Sequence, residues 1–172
     1  TAKIVGEGAL RPTLEALARA GVHEVIINLA WLGAQIRAAL GTGERCGLTV
    51  HYSQEPPGAL EAGGGIHQAL PLLGAAPFIV VNGDTYTDFD FADLRIAARS
   101  LAHLVLVPNP LQHPRGDFAL LHDDVLDEGA ARFTYSGIGL YRPEFFAACA
   151  PGRFPLLPLL RTASAARRLQ GE

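Results

Sequence analysis

Methionine is absent from the 172 residues, tryptophan occurs once and cysteine twice. The missing methionine sets the expectation that the chain does not open on a natural start. Cys46 and Cys149 are too few and too far apart for a disulfide framework or a zinc site, which suits a reducing cytoplasm. Apolar residues make up 49% of the chain, yet no uninterrupted apolar run is long enough for a membrane span. Neither a signal peptide nor a lipidation motif can be read at the start. The net charge of −3 leaves no basic footprint for a nucleic acid. Without repeats or low-complexity linkers, the chain reads as one domain with ample core.

What is present is an alternation of strands and helices. Thr13 to Ala20 suit an amphipathic helix stopped by Gly21, and Glu24 to Asn28 a buried strand. Ala30 to Leu40 suit a helix and Leu48 to Tyr52 the next strand. Later come a strand at Phe78 to Val81, a helix at Phe91 to Ser100, and a strand at Ala102 to Val107. Asp117 to Leu121 and Phe133 to Tyr141 read as a hairpin-like pair, followed by helices near Glu144 to Cys149 and Leu156 to Leu169. The pattern predicts an α/β fold: a three-layer α/β/α Rossmann-like sandwich around a mostly parallel mixed sheet.

Two stretches carry chemistry. The apolar run Phe78 to Val81 ends at Asn82-Gly83-Asp84, delivering a carboxylate beyond a strand end, where open α/β sheets bind ligands. Asp84 there suits a hard cation or a phosphate-bearing substrate, or else a helix cap. The second stretch, Leu60-Glu-Ala-Gly-Gly-Gly65, precedes an apolar helical pattern. Glycines at that point let backbone N–H groups approach a flat or anionic ligand, or simply form a flexible turn. Other conspicuous residues have plainer readings. Trp31 and Leu32 are expected to pack; Asp88 and Asp90 to lie in a solvated turn or cap the next helix. His51, His67, His103, His113 and His122 share no spacing, and Ser136 lies in no nucleophile elbow.

In order and spacing, several segments together resemble the sugar-1-phosphate nucleotidylyltransferases, with the strongest likeness to the N-acetylmuramic acid 1-phosphate uridylyltransferase branch. They are Glu15-Ala-Leu-Ala-Arg-Ala-Gly-Val22, Ile27-Asn-Leu-Ala-Trp-Leu-Gly33, Tyr52-Ser53, Leu60-Glu-Ala-Gly-Gly-Gly65, Val81-Asn-Gly-Asp84, Arg115-Gly-Asp-Phe118 and Tyr135-Ser-Gly-Ile138. The resemblance implies transfer of a nucleotidyl group from a nucleoside triphosphate, UTP in that branch, to a sugar 1-phosphate, with release of pyrophosphate. It assigns a magnesium ion to Asp84 and a catalytic role to Asp84 and Arg11. It assigns nucleotide contacts to Gly6, Gly8, Glu55, Pro57, Gly63, Gly64 and Asn82, and sugar contacts to Gly116, Asp117 and Gly137. A cytoplasmic monomer or weak homo-oligomer serving peptidoglycan-sugar salvage is the corresponding expectation.

The family opens on a strand and the loop Gly-x-Gly-x-Arg-Met, then a Pro-Lys-Pro segment. Here Gly6, Gly8, Arg11 and Pro12 resemble a shortened form of that loop, and Lys3 is the alternative counterpart of the Pro-Lys-Pro lysine. The chain also stops at Gln170-Gly171-Glu172, ahead of the family's Trp-x-Asp-Val-Gly-Thr segment, whose aspartate is a second metal ligand. A gapped or truncated enzyme and a non-catalytic nucleotide-sugar sensor both fit these departures. An unrelated α/β small-molecule binder fits only the strand and helix pattern.

Overall fold

The computed structural model describes residues 10–172. Its first helix, α1 (Leu10–Arg19), buries Leu10, Leu14 and Leu17 on one stripe. There follow β1 (Glu24–Leu29), α2 (Gly33–Leu40), β2 (Thr49–Gln54), α3 (Glu61–Leu73), β3 (Phe78–Val81) and β4 (Ala102–Val107). The remaining elements are β5 (Phe118–Leu121), β6 (Asp124–Leu126), β7 (Arg132–Tyr141), α4 (Leu157–Ala165) and β8 (Leu169–Gly171). Among the described residues no helix is long and apolar enough to cross a membrane.

β1 and β2 pair in parallel, and the other strands form a mixed sheet in the order β3-β7-β4-β8-β6-β5. β7 runs antiparallel between β3 and β4, while β8 runs parallel to β4. β3, β4, β5 and β8 therefore point one way and β6 and β7 the other. The carboxyl ends of β3, β4 and β8 share one edge.

Both faces of this layer are covered. Val25, Ile27, Ile79, Val81 and Val105 meet α1 and α2 on one side. Ile26, Phe78, Val80, Ala102 and Leu104 meet α3 and α4 on the other. Odd and even residues of β1 and β3 thus enter different cores, which makes these strands apolar throughout rather than alternating. The result is the three-layer sandwich. Burying Phe78 alone, 1% exposed, contributes about 1.5–3 kcal/mol.

Three elements depart from the sequence expectation. The helix expected over Phe91 to Ser100 is a single 3-10 turn, Phe91–Asp93, capped by Asp90, whose carboxylate accepts from the Ala92 N–H at 3.0 Å. Beyond it, the Ala97 N–H donates to Gln170 Oε1 at 2.8 Å, and Arg142 Nε donates to the Ser100 carbonyl at 3.0 Å. Distant side chains satisfy this backbone, so it does not need a helix. Likewise, Pro143–Phe146 is a 3-10 turn rather than a full helix. The last helix stops at Ala165, and Leu169–Gly171 becomes β8, filling the space between β4 and β6.

Tyr135 and Tyr141, six residues apart on β7, share a face and a hydrogen bond, hydroxyl to hydroxyl at 2.9 Å. Burial pushes both phenols well above the ordinary tyrosine value, so both stay neutral. Tyr135→Phe would leave the Tyr141 hydroxyl unpaired in the core. The expected cost is about 1–3 kcal/mol, read as a lower midpoint in urea; an unchanged midpoint would contradict the pairing.

Candidate active site

Beyond the carboxyl end of β3 the chain turns through Asn82, Gly83 and Asp84. Asp84 is exposed on the wall of an open cleft of about 780 Å³ that Thr85, Tyr86, Asp88, Val107, Ser136 and Glu172 also line. No described residue hydrogen-bonds or ion-pairs with the Asp84 carboxylate, so it is free to meet a cation. β8 delivers Glu172 to this cleft, where the Leu106 N–H donates to the Glu172 carbonyl at 2.8 Å and Glu172 Oε1 meets His103 Nε2 at 3.2 Å. Among the described residues no group of three or more histidine, cysteine, aspartate or glutamate side chains forms a ready metal cage. A single free carboxylate nonetheless fits magnesium, which keeps its waters and takes one or two carboxylates together with phosphate oxygens.

On the other side of the sheet lies a smaller cavity of about 270 Å³, lined by Glu61, Ala62, Asn82, Asp117, Tyr135 and residues 155–157 and 160. Asn82 borders both spaces. Its position depends on Gly137, which interrupts β7 at φ +83°; a Cβ there would lie 2.6 Å from Asn82 Nδ2. Only glycine gives both that backbone angle and that room.

Gly116 plays a similar part next to Asp117. Its φ is +60°, and a Cβ would come within 2.5 Å of Asn109 Oδ1. Asp117 is held from two sides: Oδ2 accepts from the Tyr135 N–H at 2.9 Å, and Oδ1 meets His113 Nε2 at 3.1 Å.

Asn82, Asp117 and Gly137 therefore meet at one edge of the sheet, with Asp84 on the facing cleft. The remaining site residues from the sequence lie differently. Glu55 is buried and its carboxylate is committed: Oε1 accepts from Asn28 Nδ2 at 2.9 Å and Oε2 from the Leu60 N–H at 2.8 Å. It ties the ends of β1 and β2 to the loop before α3. Pro57 is exposed on that loop. Gly63 and Gly64 lie inside the first turn of α3 rather than in a loop ahead of it. The Gly64 N–H is taken by the Phe154 carbonyl at 3.0 Å.

Arg11 needs a correction. It belongs to the first turn of α1 and is exposed, not part of a phosphate loop. The buried stripe of Leu10, Leu14 and Leu17 carries the helix back through Arg11 and Pro12, and proline is tolerated in a first turn. Lys3, Gly6 and Gly8, like the continuity of the chain there, lie outside the described residues. Trp31 and Leu32, expected to pack, are 76% and 57% exposed.

The chain is 48% identical over 165 residues to an N-acetylmuramate alpha-1-phosphate uridylyltransferase of Neisseria meningitidis serogroup B, covering 91% of this chain and 71% of that protein. A Caulobacter vibrioides protein of the same name is 30% identical, covering 98% of this chain and 76% of its own length. The chain belongs to this family of sugar-1-phosphate nucleotidylyltransferases. No protein-family model matches it. Among solved structures, a Bacillus anthracis protein assigned as a glucose-1-phosphate thymidylyltransferase, in complex with sucrose, superposes with a TM-score of 0.79 at 13% identity, covering 99% of this chain and 85% of that one. A UDP-glucose pyrophosphorylase with UDP-glucose gives 0.65 at 14%, covering 97% and 78%. At those identities the likeness shows the Rossmann-like fold alone.

Sequence reasoning did not single out Tyr135, Glu172 or the residues at the start of α4. Tyr135 stands beside Gly137 in a recognised segment and could have been found there. Glu172 could not, because its place depends on β8.

The glycines of α3 make a sharp test of how the site is framed. A Cβ on Gly64 would overlap the Gly152 carbonyl oxygen, and one on Gly63 would lie 2.6 Å from the Phe154 ring. Gly64→Ala should cost about 1–3 kcal/mol, lowering Tm by roughly 2–10 °C. An unchanged thermal transition would contradict the close approach of α3 to residues 152–154.

Proposed function

We propose that this protein, as one nucleotidyltransferase domain, transfers a uridylyl group from UTP to N-acetylmuramate 1-phosphate, giving the UDP-sugar and pyrophosphate. The observation that carries the proposal is the free carboxylate of Asp84 beyond β3, next to Asn82, in a chain half identical to a uridylyltransferase of that name. A sugar-phosphate oxygen would attack the α-phosphorus of the triphosphate in line, so the protein's task is alignment and charge compensation.

Asn82, exposed on the border of both cavities, is suited to orient phosphate oxygens approaching from either side. Asp117, Gly116 and Gly137 frame the acceptor side. Glu55 acts through position, holding the loop that leads into Gly63 and Gly64 against β1 and β2. Magnesium, held by Asp84, would supply charge neutralisation at the phosphates. The described residues bring few cations to this place, which makes that contribution large. Work in the cytoplasm, as a monomer or weak homo-oligomer recycling cell-wall sugar, accords with this reaction.

Asp84→Asn keeps the side chain's size and removes its charge. Magnesium-dependent pyrophosphate release should fall at least ~100-fold, a loss of about 2.7 kcal/mol in transition-state stabilisation. Tm should stay within a few degrees, because an exposed carboxylate adds little to the core. Near-normal turnover would reduce Asp84 to a turn residue, since asparagine serves there about as well.

A further inference from the structure

β8 sets Gln170 and Glu172 beside β4, and a buried series of hydrogen bonds runs through them to the large cleft. The Ala97 N–H can only donate, so the Gln170 atom that meets it at 2.8 Å is the acceptor Oε1, and Nε2 is left to donate. Nε2 lies 2.7 Å from His103 Nδ1, which therefore accepts, and the proton of the neutral ring stands on Nε2. That N–H donates to Glu172 Oε1 at 3.2 Å. His103 and Gln170 are both buried. A buried polar series is costly unless each member is satisfied, and these donors and acceptors match in one order only.

Glu172 is held by its backbone as well. Its N–H donates to the Leu104 carbonyl at 3.1 Å, and its carbonyl accepts from the Leu106 N–H at 2.8 Å. The side chain, half exposed, lines the large cleft. One carboxylate oxygen is thus aimed by His103, while Oε2 makes no hydrogen bond to a described residue.

The cleft decides what Oε2 can meet. Asp84 follows β3 and Glu172 follows β8, three strand steps apart in the sheet, roughly 14 Å at the usual strand spacing. β7 and β4 lie between and contribute Ile138, Val105 and Val107 to the lining. Magnesium sits about 2.1 Å from its ligands, so an ion at Asp84 does not reach Glu172. No lysine, arginine or histidine is among the described residues that line the cleft. Phosphate oxygens placed at Glu172 would meet like charge. A hydroxyl donor on the nucleoside suits a fixed carboxylate at that remove from the phosphates. Uracil has one ring N–H, set between two carbonyl oxygens that repel a carboxylate; ribose offers two hydroxyls side by side, the groups that an acidic residue takes in other open α/β sheets.

We infer that Glu172 accepts a hydrogen bond from a ribose hydroxyl of the nucleotide and selects ribonucleotides, and that His103 is the positioning residue that aims its carboxylate. The inference rests on the reading above that UTP lies in this cleft with its phosphates at Asp84.

Titration calorimetry with magnesium and UTP, 2′-deoxy-UTP or 3′-deoxy-UTP tests it on wild type, Glu172→Ala, His103→Leu and His103→Gln. A hydrogen bond to a charged group is worth at least ~10-fold, so wild type should bind UTP that much more tightly than one or both deoxynucleotides. Glu172→Ala should erase the difference by weakening UTP alone. His103→Leu should shrink the difference with Glu172 still present, whereas His103→Gln, which can accept from Gln170 and donate to Glu172, should keep most of it. If His103→Leu does not fold, Gln170→Leu takes its place and must shrink the difference in the same sense. Equal affinity of wild type for all three nucleotides, or a Glu172→Ala that weakens all three alike, overturns the ribose contact. A ratio left unchanged in a folded His103→Leu overturns the positioning role. A wild type that discriminates in binding yet releases no pyrophosphate with a sugar phosphate overturns the transfer reaction instead and leaves Glu172 its role.

Discussion

A strand covered by helices on both faces can carry charge only at its ends. That constraint governs β3, where Phe78, Ile79, Val80 and Val81 are all buried, two into each core. A charge within that run would face a desolvation penalty of several kcal/mol without a partner. Polar chemistry therefore begins where burial stops, at Asn82 and Asp84. Because β4 and β8 point the same way, Val107 and Glu172 arrive at the same edge. The cleft follows from the two-sided core rather than being added to it.

What lies around that edge is set by close backbone approach. Gly137 makes room for Asn82, Gly116 for Asn109 and the Phe133 carbonyl, and Gly63 and Gly64 for residues 152–154. In each case the missing Cβ brings two chain segments together that are far apart in sequence. Gly64 also lines an open cavity together with Pro56, Leu60 and His67. The glycines of α3 let the helix take hold of the segment that leads into α4. Glu55 serves the same end from the other flank, joining β1, β2 and the loop before α3 through one carboxylate.

Much of this was legible in the sequence, and what was not had long-range causes. The apolar runs marked β3 and β4 because two-sided burial demands them, and Gly-Asp after β3 marked where the chain leaves the core. Segment order marked the family, which two relatives bear out. Residues 94–100 could not be read correctly, since their backbone is satisfied by Gln170 and Arg142. Nor could β8, whose strand character comes from the gap between β4 and β6 and not from Leu-Gln-Gly itself. Arg11 reads as a loop residue in the sequence because its glycine-rich neighbours outweigh the helical stripe that begins at Leu10. Trp31 went the other way: aromatic residues usually bury area, and this one stands exposed at the end of β1.

The central claim is that one end of this sheet joins a nucleotide to a sugar phosphate. Phosphorus NMR of the protein with magnesium, UTP and N-acetylmuramate 1-phosphate tests it most directly, because donor, acceptor and both products are resolved in one spectrum. The account predicts that pyrophosphate and a diphosphate-linked sugar nucleotide grow in equal amounts and only when the sugar phosphate is present. An unchanged UTP spectrum, or pyrophosphate released without the sugar phosphate, would contradict it.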